Sequence, residues 1–106
     1  MANRLQTGRG VYILDLVGEP ELIADAIILQ LKLEHQGGME RVVFRCRIAK
    51  SLLGSDAAER PAVLVDRLVP WIALEFEQVR EAALKSIRTQ KKLFELTFDQ
   101  SSPGPF

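Results

Sequence analysis

Apolar and polar residues alternate with period two over two stretches of the chain. Leu29, Gln30, Leu31, Lys32, Leu33 and Glu34 form the first. Val42, Val43, Phe44, Arg45, Cys46, Arg47 and Ile48 form the second, with Val43 alone out of step. Successive side chains point to opposite faces of a strand, so each stretch reads as a half-buried strand. Gly37 and Gly38 lie between them and predict a two-residue primed turn, whose central positions favour positive φ. With these glycines as the loop, Gln36 faces Met39, His35 meets Glu40, Leu33 meets Val42, Leu31 meets Phe44, Leu29 meets Cys46 and Ile27 meets Ile48. The apolar pairs share one face, and Glu34–Arg41, Lys32–Val43 and Gln30–Arg45 share the other. A slip of one residue would set Leu against Arg throughout, so the register is strongly specified. Pro20 and the two glycines also fit the ends of a helix over 20–35. A second helix over 39–53 would then be apolar on two opposite sides, which a small domain cannot bury.

Upstream, Val11 to Val17 is short, rich in β-branched residues and bounded by glycines, which predicts a strand buried on both faces, either central or pairing with the hairpin. Leu22 to Asp25 fits either one helical turn or an extension of the first hairpin strand. Gly54-Ser55-Asp56 breaks the chain, and Asp56 with Glu59 matches a capping box. From Ala62 the period changes: Val65, Leu68, Ile72, Phe76, Val79, Ala83, Ile87 and Phe94 follow a helical stripe. Pro70 interrupts it and predicts a kink or break near Val69-Pro70. Phe94, Leu96 and Phe98 alternate again, as a short last strand or a frayed helix end. The fold class is therefore α+β: a small antiparallel sheet, made of a strand plus the Gly-Gly hairpin, packed against a long Pro-interrupted helical segment. The expected division is a polar N-terminal arm over 1–10, a single α+β domain over 11–99 and a disordered tail over 100–106.

Composition narrows the function. The chain has 106 residues, enough for one core, with 14 Lys plus Arg against 14 Asp plus Glu. A balanced charge argues against a strongly basic nucleic-acid packager, though a local basic patch is compatible with it. The single cysteine, Cys46, permits no disulfide within the chain and fits a reducing, cytoplasmic compartment. No apolar run approaches the length of about 18 residues that a membrane span needs. Phosphate-cradling glycine loops, zinc-ligand spacings and nucleophile elbows are missing from the sequence, so no cofactor and no metal are expected.

Among chemistry-bearing residues, Cys46 lies mid-strand on the apolar face and reads as a small hydrophobe. His35 reads as a surface histidine beside Glu40, and Asp15 interrupts an apolar strand and needs a partner there. Glu75, Glu77, Arg80, Glu81 and Lys85 read as a solvated helix face. The basic residues are better grouped. Lys32, Arg41, Arg45 and Arg47 share the polar hairpin face, and Lys85, Arg88, Lys91 and Lys92 cluster near the helix end with no acid between Ala82 and Phe94. These are the candidate nucleic-acid contacts, provided that they form one surface. Trp71 and Leu74 are the candidate partner contacts, as apolar groups beside the core stripe. The leading expectation is a non-catalytic protein-binding or adaptor domain that self-associates, and nucleic-acid binding is the alternative.

Overall fold

The computed structural model describes residues 3–38, 40–53 and 60–106. The strands are β1 (Arg4–Thr7), β2 (Gly10–Leu16), β3 (Glu21–Leu22), β4 (Ala26–His35), β5 (Arg41–Ala49) and β6 (Phe94–Phe98), and the helices are α1 (Pro61–Leu74) and α2 (Phe76–Lys85). One mixed sheet runs in the order β1-β2-β4-β5-β6, with β3 also paired to β4. The protein is thus α+β, with one face of the sheet packed against the helices.

The hairpin register is the expected one: Leu33 opposes Val42, Leu31 opposes Phe44, Leu29 opposes Cys46 and Ile27 opposes Ile48. All eight of these side chains are essentially buried. The turn differs from expectation. Gly38 donates its N–H to the His35 carbonyl at 2.8 Å, and Gly38 alone of the two glycines takes positive φ, 74°. The central residues of the His35–Gly38 turn, Gln36 and Gly37, take no positive φ, and the one left-handed position, Gly38, follows them, whereas the primed turn needs both central residues left-handed. The expected Gln36–Met39 pair involves a position outside the described residues.

Four further expectations are corrected. Residues 4–7 are not an arm but a strand, because Leu5 reaches the core and Thr7 pairs with Gly10 across a tight turn. The segment before the hairpin is neither a helical turn nor an extension of β4, but a short strand, Glu21–Leu22, that folds back onto Ile28 and Ile27. The sheet is not wholly antiparallel. β6 runs parallel to β5, with Phe44 opposite Phe94 and Ile48 opposite Phe98, since the helical crossover brings the chain back in the direction of β5. The helix break falls at Glu75 rather than at Val69-Pro70. Pro70 lies on the exposed side of α1, where its ring meets solvent and the helix can absorb the lost hydrogen bond.

Pro61 occupies the first turn of α1, where its missing N–H costs nothing and its fixed φ suits the helix. The proposed Asp56–Glu59 cap lies outside the described residues. The stripe Val65, Leu68, Ile72, Phe76, Val79 and Ala83 is buried against the sheet, but Ile87 leaves it and is 48% exposed. Residues 99–106 are held as well, contrary to a disordered tail. Asp99 accepts from the Ser101 N–H and hydroxyl and from the Ser102 N–H, Arg67 donates to the Pro105 carbonyl, and the Phe106 ring meets Phe98 at 5.6 Å.

Candidate functional site

Two polar regions lie along α2, and they differ in how their charges are used. The first forms where the start of β5 meets the middle of the helix. Glu40 turns toward α2, and Arg80 grips both of its oxygens, with Nε to Oε1 at 2.8 Å and a terminal nitrogen to Oε2 at 2.7 Å. Tyr12, buried on β2, donates its hydroxyl to Oε1 at 2.7 Å. The ion pair is mostly out of solvent, with 14% of the Arg80 and 24% of the Glu40 side chain exposed. The Arg80 hydrogen bonds hold the Glu40 carboxyl down at about 2, against the opposing pull of burial, and the Tyr12 bond adds to the lowering. Reciprocally, Glu40 raises Arg80, and burial followed by the Glu40 bond raises Tyr12.

His35 completes this region. The Gly37 N–H donates to Nδ1 at 3.0 Å, so Nδ1 is an acceptor, and Nε2 therefore carries the proton that it donates to the Arg9 carbonyl at 3.0 Å. The ring also stands edge-on to Tyr12 at 5.1 Å. His35 thus lies at the surface beside Glu40, with which it borders a small hollow, and in addition braces the β1–β2 turn against the β4–β5 turn. Arg80, expected on a solvated helix face, is instead the hub. Sequence reasoning missed it because its partner is forty positions away. The one available signal was an acid placed on the apolar side of the hairpin, opposite His35.

The second region lies further along α2. Here Arg41, Val42 and Val43 of β5, Ala83 and Leu84 of α2, and Ile87, Arg88 and Leu93 beyond it enclose a groove of about 500 Å³. Its walls are mainly aliphatic, and its charged groups are Arg41 and Arg88. Next to it, Arg45, Ser86, Gln90, Lys92 and Glu95 border a polar hollow that shares Leu93 with the groove. Arg41 and Arg88 therefore line one groove and Arg45 and Lys92 the hollow beside it, so one or two members of each basic cluster meet, while Lys32, Arg47, Lys85 and Lys91 border neither.

Among the candidate cations, the charges are not equivalent. Lys32 pairs with Glu34 at 3.7 Å, Arg45 lies between Glu21 at 3.7 Å and Glu95 at 3.8 Å, and Arg47 pairs with Asp25 at 3.2 Å. Arg41, Lys85, Arg88, Lys91 and Lys92 take part in no ion pair among the described residues. On the outer hairpin face Lys32, Arg45 and Arg47 are thus paired; of the cations without an ion pair, Arg41, whose cross-strand neighbour is Glu34, and Arg88 line the groove, and Lys92 borders the hollow beside it.

The other candidates are placed as follows. Trp71 is half-buried, its ring edge-on to Phe98 at 5.0 Å. Leu74 is 85% exposed and borders a shallow hollow with Gln6, Thr7 and Gly8 of the β1–β2 hairpin. Cys46 is fully buried, and burial, reinforced by Glu95, raises its thiol far above the usual range. Asp15 accepts from the Asn3 amide at 3.1 Å and lies across from Lys32. Among the described residues there is no cluster of metal-ligating side chains, and no helix is long and apolar enough to cross a membrane. No family model, curated protein or solved structure matches the chain.

Proposed function

We propose that this chain is a non-catalytic protein-binding domain that meets its partner through the groove between β5 and the end of α2. The observation that carries the reading is the groove itself: aliphatic walls, an exposed Ile87 and a strand edge, all open to solvent on one side. Clustered apolar groups beside charged ones are the usual composition of a recognition surface. The groups suited to acid–base or nucleophilic work support the non-catalytic part. Both Glu40 oxygens and both His35 nitrogens are engaged, and Cys46 is sealed in the core. Self-association, where it occurs, is proposed to use the opposite end, where exposed Leu74 adjoins the outer strand β1.

Nucleic-acid binding is the second reading, favoured by the meeting of Arg41 with Arg88 and of Arg45 with Lys92. The pairing of Lys32, Arg45 and Arg47 with carboxylates weighs against it, since phosphate would compete with partners already in place. Anisotropy of labelled single-stranded and duplex oligonucleotides at low and physiological salt separates the two. The protein-binding reading expects no saturable binding. Tight binding that weakens steeply with salt overturns it. Sedimentation of the wild type and of Leu74→Asp then reads self-association, with a dimer that the substitution splits as the expected result.

A further inference from the structure

The open edge of β5 adds a commitment about what kind of segment the groove holds. In an antiparallel ladder, alternate residues turn their backbone groups to alternate sides. The His35 N–H donates to the Glu40 carbonyl at 2.8 Å, which sets the phase of the hairpin. Val42 and Phe44 then turn their amide and carbonyl groups toward β4, while Arg41 and Val43 turn theirs toward the other side. On that side β6 begins its pairing only at Phe44. The Phe44–Phe94 pairing takes the Val43 carbonyl, so the backbone groups that face the groove without a strand beside them are the N–H and carbonyl of Arg41 and the N–H of Val43.

We propose that this edge takes up an extended segment of another protein as an added strand, apolar at its centre and acidic at its ends. The inference rests on the protein-binding reading above. Arg41 supplies a backbone donor and an acceptor and Val43 a further donor, and Leu84, Ile87 and Leu93 supply an aliphatic wall for alternate side chains. Charge selects the rest. Arg41 and Arg88 flank the groove, Lys85, Lys91 and Lys92 lie close by in the chain, and no acid occurs between Ala82 and Phe94; the neighbouring acids, Glu34 opposite Arg41 and Glu95 in the adjoining hollow, pair with Lys32 and Arg45. A second copy docked groove to groove would set these cations against their equivalents, which costs binding energy instead of adding it. An acidic segment is the complementary occupant. The edge is short, so side-chain fit and charge must carry much of the affinity.

The test uses the full chain and fluorescein-labelled peptides. One has alternating valine and isoleucine at its centre with aspartate and glutamate at both ends, and a second has the same centre with lysines at the ends. A third repeats the first with N-methylated central amides, which cannot add to a strand edge. The acidic peptide is expected to bind at least about tenfold more tightly than the lysine peptide at low salt, with the gap closing as salt screens the charges. N-methylation and Ile87→Asp are each expected to abolish binding, and Arg88→Glu to narrow or reverse the preference. Ile87 and Arg88 are exposed, so both variants should keep the wild-type circular dichroism and melting midpoint. Equal binding of both peptides overturns the acidic partner and leaves the protein-binding reading standing. Binding that survives N-methylation overturns strand addition. Peptides that fail to bind a protein dimerised through Ile87 make the second copy the occupant and overturn the proposal. Failure of every peptide with a monomeric protein overturns both readings, as does preferential oligonucleotide binding.

Discussion

Glu40 and Arg41 are neighbours at the start of β5, yet they belong to opposite kinds of surface. Glu40 faces α2 and is gripped by Arg80 and Tyr12, whereas Arg41 borders the groove with no ion partner among the described residues. Further along the helical segment, Arg80 and Arg88 repeat the contrast: one guanidinium is spent inside the fold and the other is available outside it. The difference shows how an ionic group divides its roles. A charge that is nearly dehydrated and bonded on all sides specifies the docking of helix on sheet. A charge left in solvent contributes little to folding and can serve recognition.

The sharpest way to break this contrast is to remove the inner guanidinium. Arg80→Met leaves the Glu40 carboxylate half-buried with only Tyr12 to hold it, and is expected to destabilise the domain by about 2–4 kcal/mol. Urea denaturation reads this directly. Arg88→Met, in the same helical segment, is expected to leave the urea midpoint unchanged. Equal losses in the two variants would abolish the distinction.

Acid titrates the same contact. The folded Glu40 carboxyl is held at about 2, below its ordinary 4.5. Below pH 4.5 the unfolded chain therefore takes up a proton that the folded one refuses, and unfolding gains. The contribution, roughly 2–3 kcal/mol, is complete above about pH 5 and is lost as pH falls toward 2. Denaturation midpoints measured from pH 6 to pH 2.5 should decline more steeply in the wild type than in Glu40→Gln, which has no carboxyl to titrate there.

Gly10 tests the brace beside the ion pair. Its φ is 113°, and a Cβ there would stand 2.7 Å from His35 Nε2. Gly10→Ala is expected to cost about 1–3 kcal/mol, from backbone strain together with the displaced imidazole. An NMR signal for the His35 Nε2 proton should disappear with it. The smallest effect belongs to Arg9→Gln. Arg9 binds Glu77 through a fork at 2.9 Å, but both side chains are about half exposed, so the urea midpoint should not move measurably. A clear loss would place that pair with the inner region.

Legibility in the sequence followed the range of the interaction. The hairpin register could be read because period-two alternation leaves one pairing that keeps Leu31, Leu33, Val42 and Phe44 together. The helical stripe from Val65 to Ala83 could be read for the same local reason. The parallel pairing of β6 could not, because Phe94, Leu96 and Phe98 alternate identically beside either orientation of β5 and only the crossover decides. β1 was obscured by its few apolar residues, with Leu5 alone marking the core side. At the candidate site, the basic groups were visible as clusters, but which of them were already paired was not. Glu21, Asp25 and Glu95 reach Arg45 and Arg47 from separate elements. The Arg80–Glu40–Tyr12 contact joins three elements and leaves no periodic trace.

The placement of β6 has a consequence for how the chain is made. Its partner β5 is finished long before residues 94–98 are synthesised, because the whole helical crossover lies between them. A nascent chain can close the β4–β5 hairpin early, since that pairing is local, while β6 must wait for a long loop to be closed. During that interval the far side of β5 is bare along its entire length, from Arg41 to Ala49, and open to pairing with other chains. The basic residues Arg41, Arg45 and Arg47 lie along this stretch. Glu21 and Asp25 precede β5 and can pair Arg45 and Arg47 at once, whereas Glu95 arrives only with β6, so positive charge on this edge, Arg41 above all, is what keeps neighbouring nascent chains apart in the interval.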